Sequence, residues 1–343
     1  MVRDAVTGAA TTGGPATGAV PGCIVRTVLG DVPAADLGPT NYHEHLFQVS
    51  PLLPGDELDD EAASGAEART LVEAGIAAMV EATPTGLGRD PEAVARISRT
   101  TGLRVVHVTG GHRTEHYPDG HWLTTESEDA LRVRFTADVV DGLPRSDVAG
   151  RGPVASTPDG APVRAGMVKA GVGYWRISAC ERRVLAAVAA TARDTGVAAM
   201  VHLEYCSAAF EVLEHLAAGG LPADRVVLAH VDRNLDAGLH AELAATGAYL
   251  GYDGPARHRE APDSAILDVL AAVVDSGGLS RVLLGGDVAR RSRYRAHGGI
   301  PGLDYLPRRF LPRLADRVGD DAVRAVLHEN PARILTLAGT DDR

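Results

Sequence analysis

What most constrains this chain is a rhythm of short apolar runs. They fall at 39–47, 77–84, 104–111, 165–172, 198–205, 225–232, 248–254 and 281–288, with longer stretches of helical character between them. Several runs are apolar almost throughout, as strands of a parallel sheet buried on both faces must be. The stretches 181–195, 206–218, 236–246 and 264–276 read as helices, and Gly219-Gly220 and Gly277-Gly278 close two of them where a helix end favours glycine. Eight strands alternating with helices over about 300 residues predict an α/β chain, specifically a (β/α)8 TIM barrel. An open doubly wound sheet is the competing architecture. It normally carries a glycine-rich phosphate loop after an early strand, and the sequence contains neither GxGxxG nor GxxxxGK(S/T). One segment breaks the rhythm: 113–164 is a long loop insertion after the third strand, with a helix candidate at 127–141 and a Gly/Pro-rich piece at 150–162. Such an insertion serves as a lid or pocket wall, or as plain surface loop.

Composition narrows the function. The 343 residues are 45% hydrophobic and 23% charged, which excludes wholesale disorder, and a net charge of −11 without a long basic run argues against nucleic acid. Three cysteines, Cys23, Cys180 and Cys206, form neither a disulfide framework nor a CxxC metal pair. No apolar stretch is long enough for a transmembrane helix, so no membrane association is expected. The first 22 residues are rich in Gly, Ala and Thr and lack both a dense basic start and an apolar core. Despite a faint lipoprotein-like Val20-Pro21-Gly22-Cys23, they read as a flexible tail, 1–22, ahead of a single domain, 23–343, of a cytoplasmic protein. The unusual count is 13 His.

Four of those histidines fall on strand ends. The first run ends Asn41-Tyr42-His43-Glu44-His45, and residues two apart on a strand share a face, so His43 and His45 point together into a barrel. Lys169 sits amid apolar residues in the fourth run, where an unpaired ammonium is costly. His202, His230 and Asp287 lie near the C-terminal ends of the fifth, sixth and eighth runs, the barrel face that carries active sites. Lys169, His202 and His230 follow one another at single strand-plus-helix units, and Asp287 lies two units further on. Imidazole and carboxylate donors suit zinc or another borderline divalent ion.

The pattern His43-x-His45, Lys169, His202, His230 and Asp287 resembles the phosphotriesterase family of the amidohydrolase superfamily. Thr27-Val28-Leu29-Gly30-Asp31, Gly88-Arg89-Asp90, Gly298-Gly299 and His328-Glu329-Asn330-Pro331 add to the resemblance, which spans nearly the whole chain. The resemblance implies a binuclear metal hydrolase with two divalent ions, zinc being expected. His43, His45 and Asp287 would hold the more buried ion and His202 and His230 the more exposed one. Lys169, carboxylated by carbon dioxide to a carbamate, would bridge both. A hydroxide between the ions would be the nucleophile, and Asp287 would take its proton. A homodimer is the family's default assembly.

The metal set defines the reaction better than the substrate. After the eighth run the sequence reads Asp287-Val288-Ala289-Arg290-Arg291-Ser292-Arg293-Tyr294-Arg295, and Arg257 and Arg259 follow the seventh. Arg257, Arg290 and Arg293 are candidates to hold an anionic substrate through forked hydrogen bonds; surface pairing with Glu260, Asp263 and Asp304 is the alternative. Family branches with this Arg-Arg-Ser and Gly-Gly pattern include hydrolases of phosphorylated sugar lactones. His112, directly after the third run, is a pocket candidate, and Tyr174 and Trp175, after the fourth, form one wall. His116 and His121 are expected at the surface. Thr109-Gly110-Gly111-His112 lacks the tyrosine common after this strand in the lactonase branch and the bulky aromatic of the insecticide-degrading branch, which argues against an acyl-homoserine lactone and against a large apolar phosphotriester pocket. The expected function is hydrolysis of a small polar ester or lactone, with phosphotriester cleavage as a side activity. An amidase or deacylase using the same centre, and a metal-binding barrel without catalysis, are the alternatives.

Overall fold

The computed structural model describes residues 23–339; the tail expected at 1–22 lies outside them. A two-stranded antiparallel hairpin, β1 (Ile24–Thr27) and β2 (Gly30–Pro33), precedes eight parallel strands that pair in sequence order. These are β3 (Thr40–Glu44), β4 (Ala78–Glu81), β5 (Arg104–Gly110), β6 (Ala165–Val172), β7 (Ala198–Leu203), β8 (Val226–Ala229), β9 (Tyr249–Tyr252) and β10 (Val282–Leu284). Each matches one of the eight apolar runs. The barrel closes just past β10, where the Gly286 and Asp287 amides donate to the His43 carbonyl at 3.2 and 3.0 Å. The last strand thus delivers Asp287 directly beside His43.

Alternation along the strands divides the core in two. Val80, Val106, Val108, Met167, Met200, Val227, Tyr249 and Leu283 fill the barrel interior. Val105, Val168, Val201, Leu228, Leu250 and Leu284 face outward and pack under the helices. Lys169 shares the parity of Met167, His202 that of Met200, and Asp253 that of Tyr249, so the interior rows end in polar groups at the barrel's C-terminal mouth.

The surrounding helices are α1 (Glu61–Glu73), α2 (Pro91–Thr101), a short α3 (Trp122–Thr125), α4 (Glu128–Val140), α5 (Ala179–Thr195), α6 (Ala209–Ala218), α7 (Ala237–Ala245) and α8 (Asp263–Asp275), and three more, from Leu311 to Leu335, complete the shell. Their starts follow local chemistry. Asp60, Asp90, Ser127 and Asp236 cap α1, α2, α4 and α7, and Ser178 with Glu181 forms a reciprocal capping box on α5. Within the 113–164 insertion, α4 packs on α5 as the barrel's own third helix. Asp147 holds the following loop to the barrel by accepting from the Gly86 amide and pairing with buried Arg89, which also pairs with Asp138. Among the described residues, no helix is long and apolar enough to cross a membrane.

Candidate metal centre

The strand ends converge on one cavity of about 250 Å3, lined by His43, His45, His112, Lys169, His202, His230 and Asp287. His45 Nε2 lies 3.4 Å from Asp287 Oδ1 and His43 Nε2 lies 3.7 Å from it. His43, His45 and Asp287 offer donor atoms close enough to share one cation. Lys169 Nζ lies 3.5 Å from His43 Nε2 and donates to the Ala82 carbonyl at 2.8 Å. The His202 ring sits 4.4 Å from that of His230, which is 5.1 Å from His43. All six side chains singled out as a ligand set therefore meet in one place.

Buried outer partners set which nitrogen of each imidazole faces inward. Asp253 accepts from His43 Nδ1 at 3.1 Å, His230 Nδ1 at 2.5 Å and the Tyr42 hydroxyl. His45 Nδ1 is bonded to Thr83 Oγ1 at 2.6 Å. These three rings thus turn Nε2 toward the cavity. His202 is reversed: its Nε2 meets Glu204 at 2.7 Å, leaving Nδ1 free. Carboxylates and hydroxyls behind imidazoles fix tautomer and orientation as in metal sites. Sequence reasoning did not single out Asp253, Thr83 or Glu204; the shared parity of Asp253 with Tyr249 was the available signal.

Backbone geometry sharpens the placement. His230 and Asp287 occupy the left-handed region, at φ 65° and 44°, where non-glycine residues are uncommon and cluster at functional sites. Gly110 (φ 105°) lets β5 approach β6 closely, since a Cβ there would lie 2.0 Å from the Lys169 carbonyl oxygen.

The electrostatics fit cation binding. Burial pulls His45 down to about 4, His230 to about 3 and His202 well below the usual range, keeping each imidazole neutral as a ligand must be. Burial also pulls Lys169 down to about 8, so the neutral amine, the form that reacts with carbon dioxide, is accessible near neutrality. Burial alone would raise Asp287, but Arg257 and the neighbouring histidines outweigh it and hold the carboxylate ionised. Among the described residues, Arg257 pairs with Asp287, the charge a cation would otherwise balance.

The remaining candidates divide. His112 lines the cavity, its ring 4.6 Å from His202. Arg257, Arg290 and Arg293 line it too, joined by Arg113 and Arg233, which the sequence reading missed. Glu260 and Asp304 do take arginine partners, Arg233 and Arg295, but Arg290 pairs with Asp56. His116 corrects an expectation. Instead of lying at the surface, it is drawn to 3.8 Å from the His112 ring and bonded to Ser50 Oγ at 3.0 Å. His121 is half-buried, stacked on Tyr117 and capping α3. Tyr174 and Trp175 do not line the metal cavity; they are exposed on an adjoining depression.

The barrel and its histidine–lysine–aspartate cluster define a class, the (β/α)8 metal-dependent hydrolases. Within that class the chain belongs to the Phosphotriesterase family, whose model matches residues 23–335. It is 30% identical over 329 residues to a phospho-furanose lactonase of Mycoplasmopsis synoviae, covering 90% of this chain and 91% of that protein. The crystal structure of a lactonase from Listeria monocytogenes superposes with a TM-score of 0.84 at 30% identity, covering 92% of this chain and 100% of that one. An N-acetyltaurine hydrolase of Danio rerio is 27% identical over 358 residues, covering 91% of this chain and 97% of that protein.

Proposed function

We propose that this chain is a binuclear metal-dependent lactonase whose substrate is a small anionic lactone or ester, with a phosphorylated sugar lactone the first candidate and phosphotriester cleavage a side activity. His43, His45 and Asp287 would hold one divalent ion, His202 and His230 the second, and Lys169 as its carbamate would join them. Zinc is the expected ion, given imidazole and carboxylate donors. Bound divalent ions activate water and polarise the carbonyl under attack. The chain's own groups do the rest. Asp287, ionised and facing the cavity, accepts a proton. Asp253 and Glu204 keep the imidazoles oriented.

The observation that carries the anionic substrate is Arg293. It faces the cavity, partly buried, and makes no ion pair among the described residues, whereas Arg113, Arg233, Arg257 and Arg290 each have a carboxylate. Burial and the adjacent Arg257 charge push its guanidinium below the usual range. A cation in that position favours an incoming anion. The N-acetyltaurine hydrolase relative favours a second reading, cleavage of an amide by the same groups.

The test is elemental analysis followed by a screen of metal-loaded protein on sugar lactones with and without a phosphate, and on N-acyl amines. About two divalent ions per chain and preference for the phosphorylated lactone are expected. Correctly folded protein that takes up no metal would remove the hydrolase reading, and preference for the N-acyl amines would select the second one.

A further inference from the structure

Among the described residues, the exposed aromatic side chains are Tyr174, Trp175, Tyr205 and Phe210, and all four gather around one depression of about 560 Å3. In a chain only 4% aromatic, that concentration is not a consequence of composition. The depression lies between the ends of β6 and β7 and the starts of α6 and α7, and Leu239 also lines it. It adjoins the metal cavity: Arg233 lines both, and Glu204 of the metal cavity is the chain neighbour of Tyr205.

The backbone holding these rings is costly and braced. Trp175, Tyr205, Cys206 and Ala208 all adopt left-handed conformations, at φ 46°, 53°, 55° and 56°, each disfavoured by roughly 1 kcal/mol or more. Ser207 ties the two loops together: its hydroxyl accepts the Trp175 amide at 3.0 Å and donates to the Glu204 carbonyl at 2.6 Å. Tyr174 meets Tyr205 edge to face at 5.9 Å and Trp175 at 6.4 Å. Rings fixed in advance bind a partner without an ordering cost, and apolar surface kept exposed at such strain marks a binding surface.

We infer that this depression is a second compartment of the active site. It takes an uncharged apolar group, aryl or short acyl, carried by the ester or lactone whose anionic end meets the arginines of the metal cavity. The inference rests on the hydrolase reading above and extends it to an amphiphilic substrate. The occupant is apolar because aromatic and aliphatic side chains dominate the lining, and Arg233 at the junction is already paired with Glu204 and Glu260. It belongs to the substrate because the depression is concave and adjoins the reaction cavity, with Arg233 lining both.

The test compares the methyl and benzyl esters of phosphoglycolate with metal-loaded full-length protein. In Tyr174→Ala/Phe210→Ala, neither residue being left-handed, the benzyl-to-methyl ratio of kcat/KM should fall about tenfold. Trp175→Asn should act alike, since asparagine tolerates its backbone. A ratio within twofold of the wild type's in both variants overturns the inference. So does an unchanged ratio with a dimer that dissociates in light scattering, which would make the patch an interface between copies. If the wild type cleaves neither ester, the compartment is read directly by benzyl alcohol titrated against tryptophan emission. A saturable change lost in Tyr174→Ala/Phe210→Ala, which keeps Trp175 as the reporter, supports it, and no saturable change overturns it.

Discussion

Asp287 combines three features that single residues rarely share: a left-handed backbone, full burial beside two imidazoles, and an arginine that keeps it ionised. Asp287→Asn keeps the shape and removes the charge, so hydrolysis should fall by about 10²–10⁴-fold; steady-state kinetics within tenfold of the wild type would contradict its role. Arg293 makes a different prediction. Arg293→Ala should raise KM about tenfold or more for phosphorylated lactones and much less for neutral ones, because a charge-assisted contact is lost only with the anion; equal changes for both would reject the assignment. His107 supplies a pH test away from the metal centre. Burial, with Arg89 beside it, pulls it down to about 3, and its Nε2 has no hydrogen-bond partner. The unfolded chain, with an ordinary imidazole, binds the proton first. His107 therefore adds stability that is full above about pH 6.5 and is lost as the pH falls toward 3. Between pH 6.5 and 5, His107→Gln should lose about 2 kcal/mol less than the wild type in denaturant titrations.

Elements carry the site by parity and close approach. Each cavity-facing candidate ligand on β3, β6 and β7 was legible in the sequence because alternation assigns its face and because such barrels place chemistry at the C-terminal strand ends. The register between neighbours was not legible. Gly110 shows why: only the folded pair reveals that a side chain there would collide with the Lys169 carbonyl. Gly110→Ala should destabilise the fold by about 2–4 kcal/mol and lower metal content in parallel, read by thermal melts and elemental analysis. A stable, metal-replete variant would show that β5 can retreat from Lys169. Loops were the least legible elements. The helix candidate of the 113–164 insertion was recognisable from its own residues, but its place in the barrel shell depends on α5. Arg113, His116, Glu204 and Arg233 enter the cavity from loops, where no periodicity announces which way a side chain turns. Tyr174 and Trp175 were recognised as wall residues, yet the turn at Trp175 carries them to the neighbouring depression.

At the scale of the whole molecule, the cavity gathers buried neutral imidazoles and an ionised carboxylate that a cation would complete, so bound metal should stabilise the native state by mass action. Stripping the protein with a chelator should lower Tm by several degrees and abolish hydrolysis, and adding Zn2+ should restore both; a Tm indifferent to metal would argue against an interior site. The sequence by itself determined the barrel and the six candidate ligands, because these follow from short-range rules: alternation along a strand, helix-length spacing, and residue types whose burial needs a partner; the family entered through the resemblance those residues carry. Only the tertiary structure decided which carboxylates stand behind the imidazoles, which cavity arginine makes no ion pair among the described residues, and where the exposed aromatics collect. Those are contacts between segments far apart in the chain, and their geometry depends on how eight strands and their loops pack around one axis rather than on any local pattern.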